Sequence, residues 1–259
     1  MAGIGIELRK LTNYASFWNF FRAYLYAGIL SSGAWVIATG TLTGIYIFLY
    51  LKFGNTLYNI QFLIAATYLV SGSLILSSLF QHSINRLIAD ILFEKKKTHI
   101  LPNIFASVLV LMPFGAAIGF GLGNFLLWGE PLSVKILMAS CFVMLCFIWL
   151  FSNALTGLER FRLIFASFFL GYATIFVLAV YLYPYQLTGL LLAFYIGHAI
   201  ILLIFFFSSL KQFPSPRLIR FEIFHFMKRN QAYVYGGLFF FLGLFIAYII
   251  MIPGLLVFF

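Results

Sequence analysis

The stretch LIFASFFLGYATIFVLAVYLYPYQLTGLLLAFYIGHAIILLIFFFSSL, residues 163 to 210, contains no charged side chain between Arg162 and Lys211. A bilayer core is crossed by about 20 apolar helical residues, so the run is long enough for two crossings. YPYQ, at 183 to 186, supplies the hairpin between them. Because a Lys, Arg or Asp at the bilayer centre costs roughly 2.5 to 3.5 kcal/mol on insertion scales, charge-free runs of this length read as membrane spans.

The same reading extends outward along the chain. Further spans are predicted within residues 23 to 51, near 60 to 81, from 101 to 128 and within 136 to 158, and a seventh begins near Ala232. The composition agrees: 64% of the 259 residues are hydrophobic, 8% are charged and the mean hydropathy is +1.07. A soluble core could not hide that much apolar surface. The expected fold is an all-α polytopic membrane protein, with a six-helix lobe over 23–209 and one further helix over 232–259. Residues 1–22 form a segment before the lobe, and 210–231 form a basic loop after it.

The formal net charge of +10 raises the question of nucleic acid, and its distribution answers it. If every span crosses, fourteen of the sixteen basic residues fall on one side and only Lys52 and Lys135 on the other. This is a topology signal, which places the N-terminus in the cytoplasm. Contact with anionic lipid is a secondary expectation, and no nucleic-acid partner is expected.

Cys141 and Cys146 both lie in the fourth span and imply neither a disulfide framework nor a metal site. The first 22 residues are too polar for a cleavable signal peptide. Within them Ile4, Leu8, Leu11, Ala15 and Trp18 recur at helical spacing. Two readings fit: an amphipathic helix on the cytoplasmic membrane face, or an extension packed on the bundle or a partner.

LPNIFASVLVLMPFGAAIGFGLGNFLLW, residues 101 to 128, would be about 42 Å long as one helix. Pro113, followed by Gly115 and Gly119, marks a candidate hinge. Small residues spaced by four also permit close helix packing, and the two readings are compatible. AYLYAGI at 23 to 29 is echoed by AYVYGGL at 232 to 238, six spans later. Both copies enter the membrane in the same direction, as the starts of two parallel transporter repeats would.

Catalytic chemistry is missing from the sequence: it has no HExxH, CxxC, GxSxG or P-loop. No enzyme activity, cofactor or metal is expected. The acidic residues Glu7, Asp90, Glu94, Glu130, Glu159 and Glu222 all sit at span ends or in loops, which leaves no buried carboxylate for a driving cation. His198 is the one ionisable residue deep in a predicted span. It is either a polar contact facing a central cavity or a neutral imidazole bonded to a neighbouring helix.

What the spans do hold is uncharged and polar: Ser31, Ser32, Ser71, Ser73, Ser77, Ser78, Asn124 and Asn153, amid 34 Phe, 15 Tyr and 4 Trp. Hydroxyls, amides and aromatic faces such as Trp35 suit a neutral sugar. In any bundle the same residues also join helix to helix. Ser31, Ser32, Trp35, Asn124, Asn153 and His198 are the substrate-path candidates. Lys95, Lys96, Lys97, Arg217 and Arg220 are candidates for contact with a partner or with lipid.

Four strings carry a family resemblance: MAGIGIELRKL at 1 to 11, RAYLYAGILSSGAW at 22 to 35, ADILFEKKKTHILPN at 89 to 103 and GLERFRLIFASFFLGY at 157 to 172. They resemble the PelG family of bacterial exopolysaccharide exporters over about residues 1 to 245. The resemblance implies an inner-membrane transporter of the multidrug, oligosaccharidyl-lipid and polysaccharide flippase superfamily, with two six-helix lobes and alternating access. It further implies a substrate, Pel polysaccharide rich in N-acetylgalactosamine. The expected partners are membrane lipids, a cytoplasmic glycosyltransferase and other exopolysaccharide synthesis proteins under cyclic-di-GMP control.

The chain also departs from that pattern. Ala34 stands where the family commonly has Pro, and nearly all of a second lobe is missing by comparison. After GLFFFLGLF the chain continues IAYIIMIPGLLVFF, which resembles a later part of the family joined early, as an internal deletion or frameshift would produce. A two-lobed cavity would then require a homodimer or a separately encoded second half. The alternatives are a flippase for lipid-linked oligosaccharides and a non-transporting scaffold that recruits a glycosyltransferase through its basic loops.

Overall fold

The computed structural model describes residues 17–54, 56–158, 160–213, 215 and 219–257. Within them, the side chains of residues 17, 19, 20, 22–27, 29–32, 244 and 247–257 lie outside the description. Among the described residues, eight helices run in chain order: α1 Phe17–Phe53, α2 Leu57–Phe93, α3 Ile100–Leu126, α4 Leu132–Gly157, α5 Phe161–Tyr181, α6 Gln186–Gln212, α7 Glu222–Arg229 and α8 Gln231–Val257. Short 3-10 turns, Lys97–His99 and Tyr183–Tyr185, precede α3 and α6. Among the described residues, six helices, α1 to α6, are long and apolar enough to cross a membrane. The fold is an all-α polytopic membrane protein. The segment 1–16 and Arg217 lie outside the described residues.

α4 is the centre of the bundle and packs against α2, α3 and α6, while α5 pairs with α6 and with α1. Met138, Cys141, Phe142 and Ile148 of α4 are completely buried, whereas Met112, Phe114 and Phe125 of α3 and Phe169 of α5 point outward. In a bilayer, outward apolar side chains meet lipid and need no protein partner.

Glycines set the closest helix crossings. Gly115, Gly119 and Gly123 line the face of α3 that meets α4. A Cβ added at Gly119 would lie 2.8 Å from the Cα of Ala139 and from Cβ of Phe142. α3 is a single helix through Pro113, which faces outward, so Gly115 and Gly119 act as a packing seam in this conformation. Where α5 crosses α6, Gly171 and Gly197 stand back to back. A Cβ at Gly197 would come within 2.6 Å of the Gly171 carbonyl oxygen, and one at Gly171 within 2.9 Å of the Gly197 oxygen.

α1 and α2 are each 37 residues, about 55 Å, against a hydrocarbon core of about 30 Å. α2 therefore continues well past its charge-free part, through His82, Arg86 and Asp90, and ends at Phe93. Its C-terminus closes with the Lys96 N–H donating to Ile91 O (3.0 Å) and the Lys95 N–H to Leu92 O (3.1 Å), a Schellman pattern. That pattern places Lys95 in the left-handed region, with φ of 61°. Glycine adopts this conformation without the Cβ clash. Lys95→Gly is expected to stabilise the fold by about 0.4–1 kcal/mol, read as a raised unfolding midpoint in detergent.

At the same basic end, α7 is tied to the start of α3. Asn103 donates from Nδ2 to Glu222 Oε2 (3.1 Å) and accepts the Ile223 N–H at Oδ1 (2.8 Å). Arg220 donates through Nη1 to Glu222 Oε1 (2.9 Å) and to His99 Nε2 (2.7 Å), while His99 Nδ1 lies 3.2 Å from Glu222 Oε2. Burial pushes the Glu222 carboxyl up. Hydrogen bonds from Asn103 and Arg220, with the charges of His99 and Arg220, outweigh that and hold it below the usual carboxylate range.

α8 continues from this junction and packs along α2. Its Gly237 lies against the carbonyl of Leu79, where a Cβ would stand 2.9 Å from the oxygen. The two copies of the Ala-Tyr-Tyr-Gly echo thus differ in environment. Gly28, the counterpart of Gly237, has nothing within 4 Å of its Cβ position.

Candidate functional site

The polar and aromatic residues of the spans meet between α1, α2 and α4. Ser73 is a buried hydroxyl on α2, and it accepts a hydrogen bond from the Trp149 indole N–H of α4 (Nε1 to Oγ, 3.0 Å). Trp35 of α1 stacks on the Trp149 ring with centroids 5.6 Å apart and planes 15° from parallel. Trp149 is 9% exposed and Trp35 37%, so the pair presents an open indole surface on a buried support. The separation lies in the range aromatic pairs prefer.

One turn along α4 from Trp149 is Asn153, half-buried and on the same helix face. One turn along α2 from Ser73 is Ser77, whose hydroxyl donates to the Ser73 carbonyl (2.7 Å). The result is an uncharged strip of two indoles, hydroxyls and an amide.

The sequence candidates are placed unevenly around it. Trp35 belongs to the strip and Asn153 borders it. Ser31 and Ser32 lie outside the described side chains. Asn124 is near the far end of α3. Its neighbour Gly123 lies against Lys135, fourteen residues and about 21 Å along α4 from Trp149, so Asn124 does not share the strip. His198 is fully buried between α5 and α6, with Nδ1 donating to Phe194 O (2.8 Å) and Nε2 accepting from Tyr172 OH (3.2 Å). Nδ1 is thus held within α6, and Nε2 bonds His198 to the neighbouring helix α5.

Trp35 and His198 are nonetheless connected. Trp149 contacts Phe168 (6.1 Å between centroids), Phe168 stacks on Tyr172 (6.2 Å), and Tyr172 meets the His198 ring edge-on (5.2 Å). A ladder of rings braces the strip from behind. Trp149 was not among the sequence candidates. Its signal is an indole N–H well inside a span rather than at an interface, where it must find a partner.

At the basic end, Lys95, Lys96 and Lys97 are exposed, and Lys96 pairs with Glu94 at 2.9 Å. Arg220 turns inward into the His99–Glu222 cluster, with its side chain 22% exposed. Among the described residues, no three His, Cys, Asp or Glu side chains gather as metal ligands.

Among the described residues, six membrane-length helices define a multi-pass membrane protein. Residues 1–255 match the family model PelG, described as "Putative exopolysaccharide Exporter (EPS-E)". The chain belongs to the PelG family, which is a family of transporters. No curated protein and no solved structure matches it.

Proposed function

We propose that this chain exports a neutral, hydroxyl-rich exopolysaccharide across a bacterial inner membrane, and that the polymer passes over the Trp35–Trp149 strip. The supporting observation is the combination of family membership over residues 1–255 with an uncharged indole surface, bordered by Asn153, inside the spans. Indole faces stack on the C–H surfaces of a sugar ring, and the Asn153 amide offers both a donor and an acceptor to its hydroxyls. Pel polysaccharide, rich in N-acetylgalactosamine, is the substrate this reading names.

The basic end faces the cytoplasm by the positive-inside rule, and the N-terminus lies with it. Exposed Lys95 and Lys97 there are free to meet a glycosyltransferase or anionic lipid.

The test is export of polymer from cells carrying Trp35 variants at matched protein levels. Trp35→Ala is expected to reduce export about tenfold, equivalent to the roughly 1–3 kcal/mol that an aromatic stacking contact contributes. Trp35→Phe should retain most of it. Full export by the alanine variant would remove the strip from the path.

A further inference from the structure

At the basic end of the bundle, the last turns of α2, the turn before α3 and helix α7 enclose a cleft of about 590 Å³, within the usual range for small-ligand sites. Its lining differs from the face it interrupts. Three of the chain's six acidic residues, Asp90, Glu94 and Glu222, face it alongside His225, Phe226 and Arg229. The chain as a whole carries +10, yet here each of the three carboxylates is in an ion pair, with Arg86, Lys96 or Arg220, and Arg229 stands beside them.

That balance selects against a strongly charged ligand. A phosphate would meet three carboxylates, and a metal cation would meet an ammonium and a guanidinium. What remains favourable is an uncharged ligand with many hydroxyls. Carboxylates accept from vicinal hydroxyls in pairs, guanidinium donates in pairs, imidazole can do either, and Phe226 adds an aromatic surface.

The cleft also lies in line with the strip. Ile91, which lines it, is eighteen residues from Ser73 on α2, five full turns, so the two share one helix face about 27 Å apart. We propose that this cleft binds a short segment of neutral glycan and is the first site the polymer occupies before it reaches the Trp35–Trp149 strip. The inference rests on the export reading, and adds to it a binding site outside the spans.

The experiment is calorimetric titration of the full chain in nanodiscs with an N-acetylgalactosamine tetrasaccharide. Asp90→Ala with His225→Ala removes two cleft contacts. Asp90 is only in an exposed pair with Arg86 and His225 is exposed, so folding should persist, with the unfolding temperature as control. A milder pair, Asp90→Asn with His225→Gln, serves if it does not.

The cleft variant is expected to bind about tenfold more weakly, a 1.4 kcal/mol loss, while Lys95→Ala binds as the unaltered chain does. Undiminished binding by the cleft variant, with binding lost in Trp35→Ala, overturns the cleft site and leaves the export reading standing. Absence of any glycan binding by the unaltered chain overturns both. Displacement of the glycan by inorganic phosphate overturns the neutral-ligand assignment.

Discussion

Gly197→Val is expected to lose most of its folded yield, the largest stability effect of any single substitution considered for this bundle. The side chain would arise where α5 and α6 touch backbone to backbone, with its Cβ 2.6 Å from the Gly171 oxygen and against the side chain of Ile175. A flexible side chain could rotate away from such a clash, but a carbonyl inside a helix cannot. The two helices would have to separate, and with them the His198–Tyr172 bond and the aromatic ladder behind Trp149. Overpacking typically costs about 1–3 kcal/mol and occasionally more, and a clash with a helix backbone, which no rotamer change relieves, belongs beyond that range. Monodisperse recovery in detergent and the thermal midpoint are the measurements. Gly121→Ala is the control, since nothing lies within 4 Å of its Cβ position and alanine favours the helix. Equal behaviour of the two variants would mean that the α5–α6 crossing is not as close as described.

Trp149→Ala should come next, destabilising the protein by about 3–5 kcal/mol, as buried aromatic truncations do. It removes the indole from between Trp35 and Phe168, leaves a void in the middle of α4 and strips Ser73 of its partner. Trp149→Phe separates the two components. It keeps a smaller ring against Trp35, loses the N–H bond at a cost of about 0.5–1.5 kcal/mol, and leaves a smaller void than alanine does. If export falls in Trp149→Phe as far as in Trp149→Ala, the hydrogen bond to Ser73 matters more for orienting Trp35 than the packed ring does. The thermal midpoint and the export assay read these two contributions separately.

Much of the architecture was legible in the sequence, and the reason is energetic. A buried charge is so costly in a bilayer that each crossing shows itself as a gap between charges, and the gap from Arg162 to Lys211 alone accounted for α5, the Tyr183–Tyr185 turn and α6. Helix ends were less legible. The second span was expected near residues 60 to 81, and α2 runs on to Phe93, because a helix that leaves the membrane carries His82, Arg86 and Asp90 at no cost once it reaches water. The charge-free rule locates the bilayer, not the end of the hydrogen-bonded helix.

The site was legible only in kind. Trp35 and Asn153 could be proposed because uncharged polar and aromatic residues inside spans are few in type. Nothing in one dimension tells that Ser73 would hold Trp149, or that His198 would be closed off by Tyr172, 26 residues away. Small residues carried the same ambiguity. Gly115 and Gly119 read as both hinge and seam, and which helix packs against them, α4, was visible only in three dimensions.

By itself, then, the sequence determined that this chain lies in a membrane and which family it belongs to, since solvation cost and family-specific strings are properties of residues taken in order. Only the tertiary structure decided which hydroxyls are spent on their own helices and which indole stands open. It also decided where three scattered carboxylates converge, because those outcomes depend on which helix faces meet, and facing is set by packing at glycine contacts far apart in the chain.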